Sequence, residues 1–208
     1  MTQDFQQAAR ALVAAGRELY ALGMVPATSG NFSARLDAEH IAITVSGRHK
    51  GRLTADDIML IDYSGQSLDD RRPSAETLLH TQIYQRFPAA GAILHPHSLH
   101  ATLLSKLLPS GPVATLELQD YELLKAFTGV TTHAAALTVP VFDNDQDIAR
   151  LVAAIDEWMA VHPPIHGYII RGHGFYTWGE HVDDTLRHVE AFDFLFKCEL
   201  TLRGVAIA

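Results

Sequence analysis

The sequence predicts one layered α/β domain, and three observations support that prediction. In several segments apolar residues recur at three- and four-residue steps, which is the spacing of a helix with one buried face. Between these segments lie short apolar stretches bounded by turn residues, which are typical of strands. The 208 residues have the length of one domain, and no repeat, low-complexity tract or linker divides them. Helices that alternate with strands in this way are expected to pack on the faces of a sheet.

The first half of the chain is predicted to contain two helices and three strands. In order they are a helix over residues 4–22, strands over 32–36, 40–45 and 58–62, and a helix that starts at residues 73–74. Gly23 ends the first helix and Pro88 stops the second. Ser74 is the predicted N-cap of the second helix, which places Glu76 in its first turn.

The second half is predicted to continue the alternation. In order the elements are a strand over residues 92–94, helices over 99–107, 117–127 and 145–159, strands over 168–171 and 175–178, and a closing helix over 183–202. Asn144 or Asp145 is the predicted cap of the helix over 145–159.

Composition and charge exclude several classes of protein. The formal net charge of −8 argues against a nucleic-acid-binding protein, because such proteins usually carry a clustered basic face. The N-terminal segment lacks the basic start and apolar run of a signal peptide, and no run approaches the roughly 20 apolar residues of a membrane span. The single cysteine, Cys198, excludes an internal disulfide. We therefore expect a cytoplasmic protein that contacts neither nucleic acid nor membrane.

Two histidines stand at the end of a predicted buried strand, in the sequence His95-Pro96-His97. Pro96 disfavours helical geometry for the residue before it, so His95 is expected to be extended. Residues two apart in an extended chain project to the same side, which presents paired nitrogen ligands to a divalent ion such as zinc. The alternative is a chance pair in which one ring forms a hydrogen bond in the core.

A third candidate ligand is His173. It lies between Gly172 and Gly174, which allow a tight turn and a close approach to a site, although a water-exposed turn histidine would show the same pattern. Three imidazoles leave the fourth position of zinc open for water or a substrate oxygen, as in catalytic sites. The other histidines that remain possible as ligands are His100, His133 and His166.

Two further features have both a functional and an ordinary explanation. Glu76 at the start of a helix is accounted for by the helix dipole, whereas a functional role requires its carboxylate to point into the metal cleft. Residues 28–31 (Thr-Ser-Gly-Asn), 46–47 (Ser-Gly) and Ser74 supply small hydroxyls and glycine amides of the kind that bind a phosphate. Each of these three loops taken alone is also an ordinary turn.

Together these motifs resemble the class II aldolase/adducin family. In chain order they are residues 28–31 (Thr-Ser-Gly-Asn), 46–47 (Ser-Gly), 73–76 (Pro-Ser-Ala-Glu), 95–98 (His-Pro-His-Ser) and 171–174 (Arg-Gly-His-Gly). The resemblance spans nearly the whole chain, so residues 1–208 are expected to form one domain of this family. It implies a three-layer α/β/α fold with a mixed, mostly antiparallel central sheet. It also implies a homotetramer with active sites at subunit interfaces.

The resemblance assigns roles to individual residues. It implies one zinc ion per subunit held by His95, His97 and His173, with Glu76 as the catalytic acid and base. The residues that it places around the phosphate of a small phosphorylated substrate are Thr28, Gly30, Asn31, Ser46, Gly47 and Ser74. Many family aldolases have a serine where this chain has Ala75, so one hydrogen bond to the phosphate is expected to be missing.

Within the family, three segments resemble the members that dehydrate their substrate. These are residues 121–125, 132–133 and 140–147, the last of which contains Asn-Asp-Gln-Asp. The implied activity is that of a zinc-dependent lyase of methionine salvage, which removes water from 5-methylthioribulose 1-phosphate to form 2,3-diketo-5-methylthiopentyl 1-phosphate.

Two alternatives remain open. The first is an aldolase that cleaves fuculose or ribulose 1-phosphate; some such aldolases use a C-terminal tyrosine as a proton donor, whereas residues 203–208 contain none. The second is a non-catalytic, adducin-like scaffold that only binds partners.

Overall fold

The computed structural model describes residues 2–206. Met1 lies outside the described residues, as do residues 207–208, the last two of the tyrosine-free tail. Among residues 2–206, no helix is both long and apolar enough to cross a membrane. The described residues contain eight strands and five α-helices.

The helices and strands alternate along the chain. The strands are β1 (Asn31–Arg35), β2 (Ile41–Thr44), β3 (Ile58–Ile61), β4 (Ala92–His95), β5 (Val113–Gln119), β6 (Ala136–Phe142), β7 (Gly167–Ile170) and β8 (Gly174–Gly179). The helices are α1 (Gln3–Ala21), α2 (Thr77–Arg86), α3 (Leu99–Leu107), α4 (Ile148–Val161) and α5 (Val182–Leu202). Short 3-10 helices cover Lys50–Arg52, Ala55–Asp57 and Glu122–Ala126.

All eight strands form one mixed sheet in the order β3-β2-β1-β4-β8-β7-β6-β5. Among the described strands, β6 and β7 are parallel neighbours and the other neighbouring pairs are antiparallel. Strands β4 and β8 are adjacent at the centre, although β5, β6 and β7 lie between them in the chain. This pairing brings the end of β4 beside the turn between β7 and β8, where the candidate site lies.

Helices cover both faces of the sheet. On one face, α1, α3 and α5 bury side chains such as Leu12, Leu104 and Phe192 against the strands. On the other face, α2 and α4 contact each other and contribute Ile83 and Ile155 to a second apolar cluster. The result is the three-layer α/β/α fold with a mostly antiparallel sheet, so the predicted fold class is confirmed.

One predicted helix is wrong. The sequence pattern predicts a helix from Glu117 to Phe127, but the structure has β5 up to Gln119 and then a 3-10 helix. Leu116 and Leu118 are buried while Glu117 is exposed, which is the two-residue alternation of a strand. Asp120 then adopts a left-handed φ of 63°, which a helix cannot contain. The partner strand β6 is also not predicted from the sequence pattern.

Two predicted helix caps are also wrong. Helix α2 begins at Thr77 with Glu76 itself at the N-cap position, and Ser74 instead accepts a hydrogen bond from the Glu76 amide at 3.3 Å. Helix α4 is capped by Asp147, whose carboxylate accepts from the Arg150 amide at 3.1 Å. The predicted cap Asp145 forms an ion pair with the Arg150 guanidinium instead. Both helices therefore start two or more residues later than the sequence pattern indicated.

Candidate metal centre and active site

Three histidine side chains meet at the junction of β4 and the β7–β8 turn. The Nε2 atom of His97 lies 3.0 Å from the Nε2 atoms of both His95 and His173, and the remaining pair is 3.4 Å apart. A tetrahedral zinc ion with bonds of about 2.0–2.1 Å separates its ligand nitrogens by roughly 3.3 Å. The three nitrogens are therefore spaced as ligands of one ion would be.

Hydrogen bonding and burial prepare the rings for a metal. The Nδ1–H of His95 donates to the Phe175 carbonyl at 2.8 Å, which leaves the Nε2 lone pair directed at the centre. The ring of Tyr176 stacks on His95 with centroids 4.0 Å apart. Burial, together with the neighbouring His173, lowers the pKa of His95 well below its usual range, and burial lowers that of His97 to about 3. Both rings are therefore neutral, as metal ligation requires.

The glycines beside His173 allow this close approach. Gly172 has a left-handed φ of +66° in the tight turn. A Cβ atom at Gly174 would lie 2.4 Å from the Pro96 carbonyl oxygen and 3.1 Å from the His95 ring. Side chains at either position would thus strain the turn or push it away from β4.

Glu76 faces the same centre. Its Oε2 lies 3.4 Å from His95 Nε2, and its Oε1 lies 3.2 Å from His173 Nε2. The side-chain amide of Asn31 donates to Oε2 at 2.7 Å. Glu76, His95, His97 and His173 offer one ligand atom each, and these atoms all lie within 4.8 Å of one another. The carboxylate is close enough either to ligate an ion or to act on a group bound to it.

The centre opens into a cavity of about 330 Å³ that Glu76, His97 and His173 line. All six residues that the family resemblance places around a phosphate line it too: Thr28, Gly30, Asn31, Ser46, Gly47 and Ser74. The pairing of β1 with β4, in which Asn31 is opposite His95, sets the first of these loops beside the histidine cluster. Gly30 has a φ of +79°, and a Cβ atom there would lie 2.7 Å from the His95 carbonyl oxygen. A larger residue would force this loop away from the centre.

Lys50 also lines the cavity, although no sequence motif predicts it as a site residue. Its side chain is 1% exposed, and its ammonium donates to the carbonyls of Thr28 at 3.0 Å and Arg48 at 2.7 Å. Burial lowers its pKa to about 8, although Glu76 partly opposes this by attraction. In the sequence Lys50 is simply a basic residue followed by a glycine, and this pattern is common at protein surfaces.

The segment of Asn144, Asp145 and Gln146 also lines the cavity. In the sequence these residues distinguish members of the family, but no local pattern predicts that they lie at the site.

The alternative histidine ligands lie elsewhere. His100 contacts the carboxylate of Asp193 at 2.9 Å. His133 is exposed beside Glu122, and His166 packs against Phe127. None of the three belongs to the four-residue cluster of Glu76, His95, His97 and His173.

The family of the protein follows from its similarity to known sequences. The model of the Class II Aldolase and Adducin N-terminal domain matches residues 10–200. The protein therefore belongs to the class II aldolase/adducin family.

Relatives that share one name are similar to this protein over nearly the whole chain. The protein is 60% identical to the methylthioribulose-1-phosphate dehydratase of Methylococcus capsulatus, over 97% of both chains. It is 58% identical to the enzyme of the same name from Marinobacter nauticus, over 94% of both chains.

Solved structures share the fold at lower identity. YgbL of Klebsiella pneumoniae, a putative aldolase/epimerase/decarboxylase, is 23% identical with a TM-score of 0.80, covering 100% of this chain and 94% of its own. The l-fuculose-1-phosphate aldolase of Thermus thermophilus is 24% identical with a TM-score of 0.73, covering 95% of this chain and 97% of its own. At these identities the likeness concerns the fold alone.

Proposed function

We propose that this protein is a zinc-dependent hydro-lyase of methionine salvage. It removes water from 5-methylthioribulose 1-phosphate and releases 2,3-diketo-5-methylthiopentyl 1-phosphate. The observation that carries this proposal is the carboxylate of Glu76, whose oxygens lie 3.4 Å from His95 Nε2 and 3.2 Å from His173 Nε2 in the wall of a cavity that all the predicted phosphate-binding residues also line. The dehydratase relatives at 60% and 58% identity favour dehydration over cleavage.

The proposed cofactor is one zinc ion per subunit, held by His95, His97 and His173. The donor set fits this ion, because three imidazoles with convergent Nε2 atoms are typical zinc ligands. When bound, zinc supplies Lewis-acid stabilisation of the negative charge that develops on the C2 oxygen of the substrate. The three histidines hold and orient it, and Glu76 remains available for proton transfer.

Glu76 carries out the proton transfers in this mechanism. Its carboxylate removes the C3 proton, which is acidic because C3 is next to the C2 carbonyl. The hydrogen bond from Asn31 to Oε2 fixes the carboxylate during this step. Protonated Glu76 then returns a proton to the C4 hydroxyl as the C4–O bond breaks, so that one water leaves and C3 and C4 become doubly bonded. The enol that results loses its C3 hydroxyl proton and takes up a proton at C4, which gives the 2,3-diketone.

The phosphate is bound by the loop residues together with Lys50. Two of the three ammonium N–H groups of Lys50 bind backbone carbonyls, and the third is available for a phosphate oxygen in the cavity that Lys50 lines. Thr28, Ser46 and Ser74 contribute hydroxyls. A buried cation beside small hydroxyls suits an anionic ester, although the net charge of the protein is negative.

Lys50→Met is expected to raise KM for the substrate about tenfold or more, because it removes a charge-assisted hydrogen bond worth about 1.5–3 kcal/mol. In the wild type, KM should rise as the pH passes about 8, where Lys50 loses its proton. In the variant this rise should be absent. Steady-state kinetics between pH 7 and 9 measure both effects.

The matched control for Lys50 is Arg48→Met, which removes a more exposed cation from the same loop. The control should keep the wild-type KM and its pH dependence. An unchanged KM in Lys50→Met would contradict the role of Lys50.

The rival function is that of a sugar-1-phosphate aldolase, which would use the same metal and carboxylate to break a carbon–carbon bond. Purified protein given 5-methylthioribulose 1-phosphate is expected to release the diketone, and no aldehyde should appear with fuculose 1-phosphate or ribulose 1-phosphate. Aldehyde release without diketone would favour the aldolase. A protein that binds no zinc and acts on none of the three substrates would favour the adducin-like scaffold.

The proposed setting is a cytoplasmic homotetramer with active sites at subunit interfaces. The family resemblance supports this assembly. Exposed apolar side chains, including Leu22, Leu123 and Phe194, are available for contacts between subunits around a groove on the α5 side.

A further inference from the structure

A chain of buried hydrogen bonds leads from Glu76 into the interior of the protein. The Asn31 amide, which donates to Glu76, is in turn hydrogen-bonded through its Oδ1 to Nε2 of His80. The Ser33 hydroxyl lies 2.7 Å from Nδ1 of His80 and 2.9 Å from the hydroxyl of Tyr84. Asn31 is 4% exposed, and the other three residues are exposed by 1% or less.

The positions of these residues follow from the periods of a strand and a helix. Asn31 and Ser33 are two apart on β1, so they project to the same face of the sheet. Glu76, His80 and Tyr84 follow each other at four-residue steps from the start of α2, so they lie along one face of the helix. Helix and strand thus interdigitate through polar groups, where apolar side chains would suffice for packing.

The charge of Glu76 determines the direction of every hydrogen bond in the chain. A carboxylate only accepts, so Asn31 must turn its NH2 group toward Glu76 and its carbonyl oxygen toward His80. His80 must then donate from Nε2, which leaves Nδ1 as an acceptor for the Ser33 hydroxyl. Ser33 in turn accepts from the phenol of Tyr84.

Two properties of the chain keep this direction fixed. Burial lowers the pKa of His80 to about 3, so the ring is neutral and has one donor and one acceptor nitrogen. Burial raises the pKa of Tyr84 above its usual value, so its phenol remains a donor. If the proton of His80 moved to Nδ1, two acceptor atoms would face each other between His80 and Asn31. The Asn31 amide would then turn over and present its oxygen to Glu76, which repels it.

We propose that His80 is a positioning residue for Glu76. It holds the Asn31 amide in the one orientation that binds the carboxylate, and Ser33 and Tyr84 hold His80 in the tautomer that does so. This inference rests on the proposed role of Glu76 in proton transfer. The buried face of α2 thus contributes to the reaction through His80, which acts on Glu76 by way of Asn31 and does not itself touch the substrate.

The test compares His80→Leu with His80→Gln, in which a side-chain amide can still donate to Asn31. His80→Leu is expected to lower kcat about 10- to 100-fold, since a small misplacement of a catalytic group has an effect of that size. KM should stay within about threefold of the wild type, because substrate binding is not the affected step. His80→Gln should recover most of the lost kcat. Zinc content should equal that of the wild type in both variants.

Two controls separate positioning from a general effect on the core. His188→Leu replaces another buried histidine, which donates to the Trp178 carbonyl and accepts from the Thr128 amide, and it should leave kcat unchanged. In the second control, Asn31→Ala combined with His80→Leu should be no slower than Asn31→Ala alone, because His80 acts through Asn31. Should His80→Leu fail to fold, Ser33→Ala removes a single oxygen atom and is expected to lower kcat with the same unchanged KM.

The outcomes are distinct. Wild-type kcat in a folded His80→Leu protein, or in Ser33→Ala where His80→Leu does not fold, overturns the proposal. The proposal is also overturned if the two single substitutions lower kcat additively in the Asn31→Ala/His80→Leu double variant. It is overturned as well if His188→Leu lowers kcat as much as His80→Leu does. Wild-type protein that releases no diketone overturns the proposed function, and this inference fails with it. Loss of kcat in His80→Leu with recovery in His80→Gln supports the positioning role.

Discussion

Glu76→Gln is expected to lower kcat by about a thousandfold, because general acid–base catalysis by one side chain contributes roughly 10²- to 10⁴-fold. Glutamine has nearly the same shape as glutamate but cannot accept the C3 proton. The three imidazoles that hold zinc are unchanged, and the Asn31 amide can still donate to the side-chain oxygen of the new residue. The variant should therefore bind zinc and substrate and fail at proton removal.

The measurements are kcat by diketone release, zinc content by elemental analysis and thermal unfolding. Glu117→Gln is the matched control, since Glu117 is an exposed residue of β5 whose carboxylate accepts a hydrogen bond from the Thr138 hydroxyl at 3.0 Å. That variant should behave as the wild type. Full activity in Glu76→Gln would remove Glu76 from the mechanism, and loss of zinc would indicate that the carboxylate is a ligand instead.

The second large effect is expected for His97→Ala, which should lose bound zinc and lower kcat by about a thousandfold or more, since both the metal and its Lewis-acid contribution are lost. His97 is the best ligand to replace. The Nε2 atom of His97 lies 3.0 Å from the Nε2 atoms of both other histidines, so its removal breaks the ligand set. His95 is a poorer choice because it is fully buried under Tyr176, and its removal would also disturb the core.

Elemental analysis of protein purified without added metal measures zinc directly, and the wild type should contain about one zinc per chain. His133→Ala is the control, because His133 is exposed and outside the cluster. It should keep both metal and activity. A His97→Ala protein with its full zinc content and wild-type kcat would exclude His97 as a ligand.

Local patterns in the sequence predicted most of the fold. Helices α1, α3 and α5 have long apolar faces, and their observed bounds lie within one residue of the predicted ones. The error over residues 117–127 arose because leucines at several spacings fit a helix and a strand equally well over a short segment. The pairing of β5 with β6, which decides between the two, is a contact between distant parts of the chain.

The candidate site likewise has residues that the sequence predicts and residues that it does not. The three histidines, Glu76 and the predicted phosphate-binding residues stand in recognisable motifs. The structure brings the histidines and Glu76 into one cluster, beside a cavity that the predicted phosphate-binding residues line. Lys50 and His80 stand in no motif. Their importance comes from burial and from partners on other elements, such as Thr28 for Lys50 and Ser33 for His80. Neither property can be read from neighbouring residues.

The adjacency of β4 and β8 has a consequence for stability. It joins His95 to His173, which are 78 residues apart in the chain, so the complete ligand set exists only after the middle of the sheet has assembled. An ion bound there favours the native state by mass action, by about 2.7 kcal/mol when its free concentration is a hundred times its dissociation constant. Metal supply would then govern how long the protein survives in its cell as well as how fast it turns over.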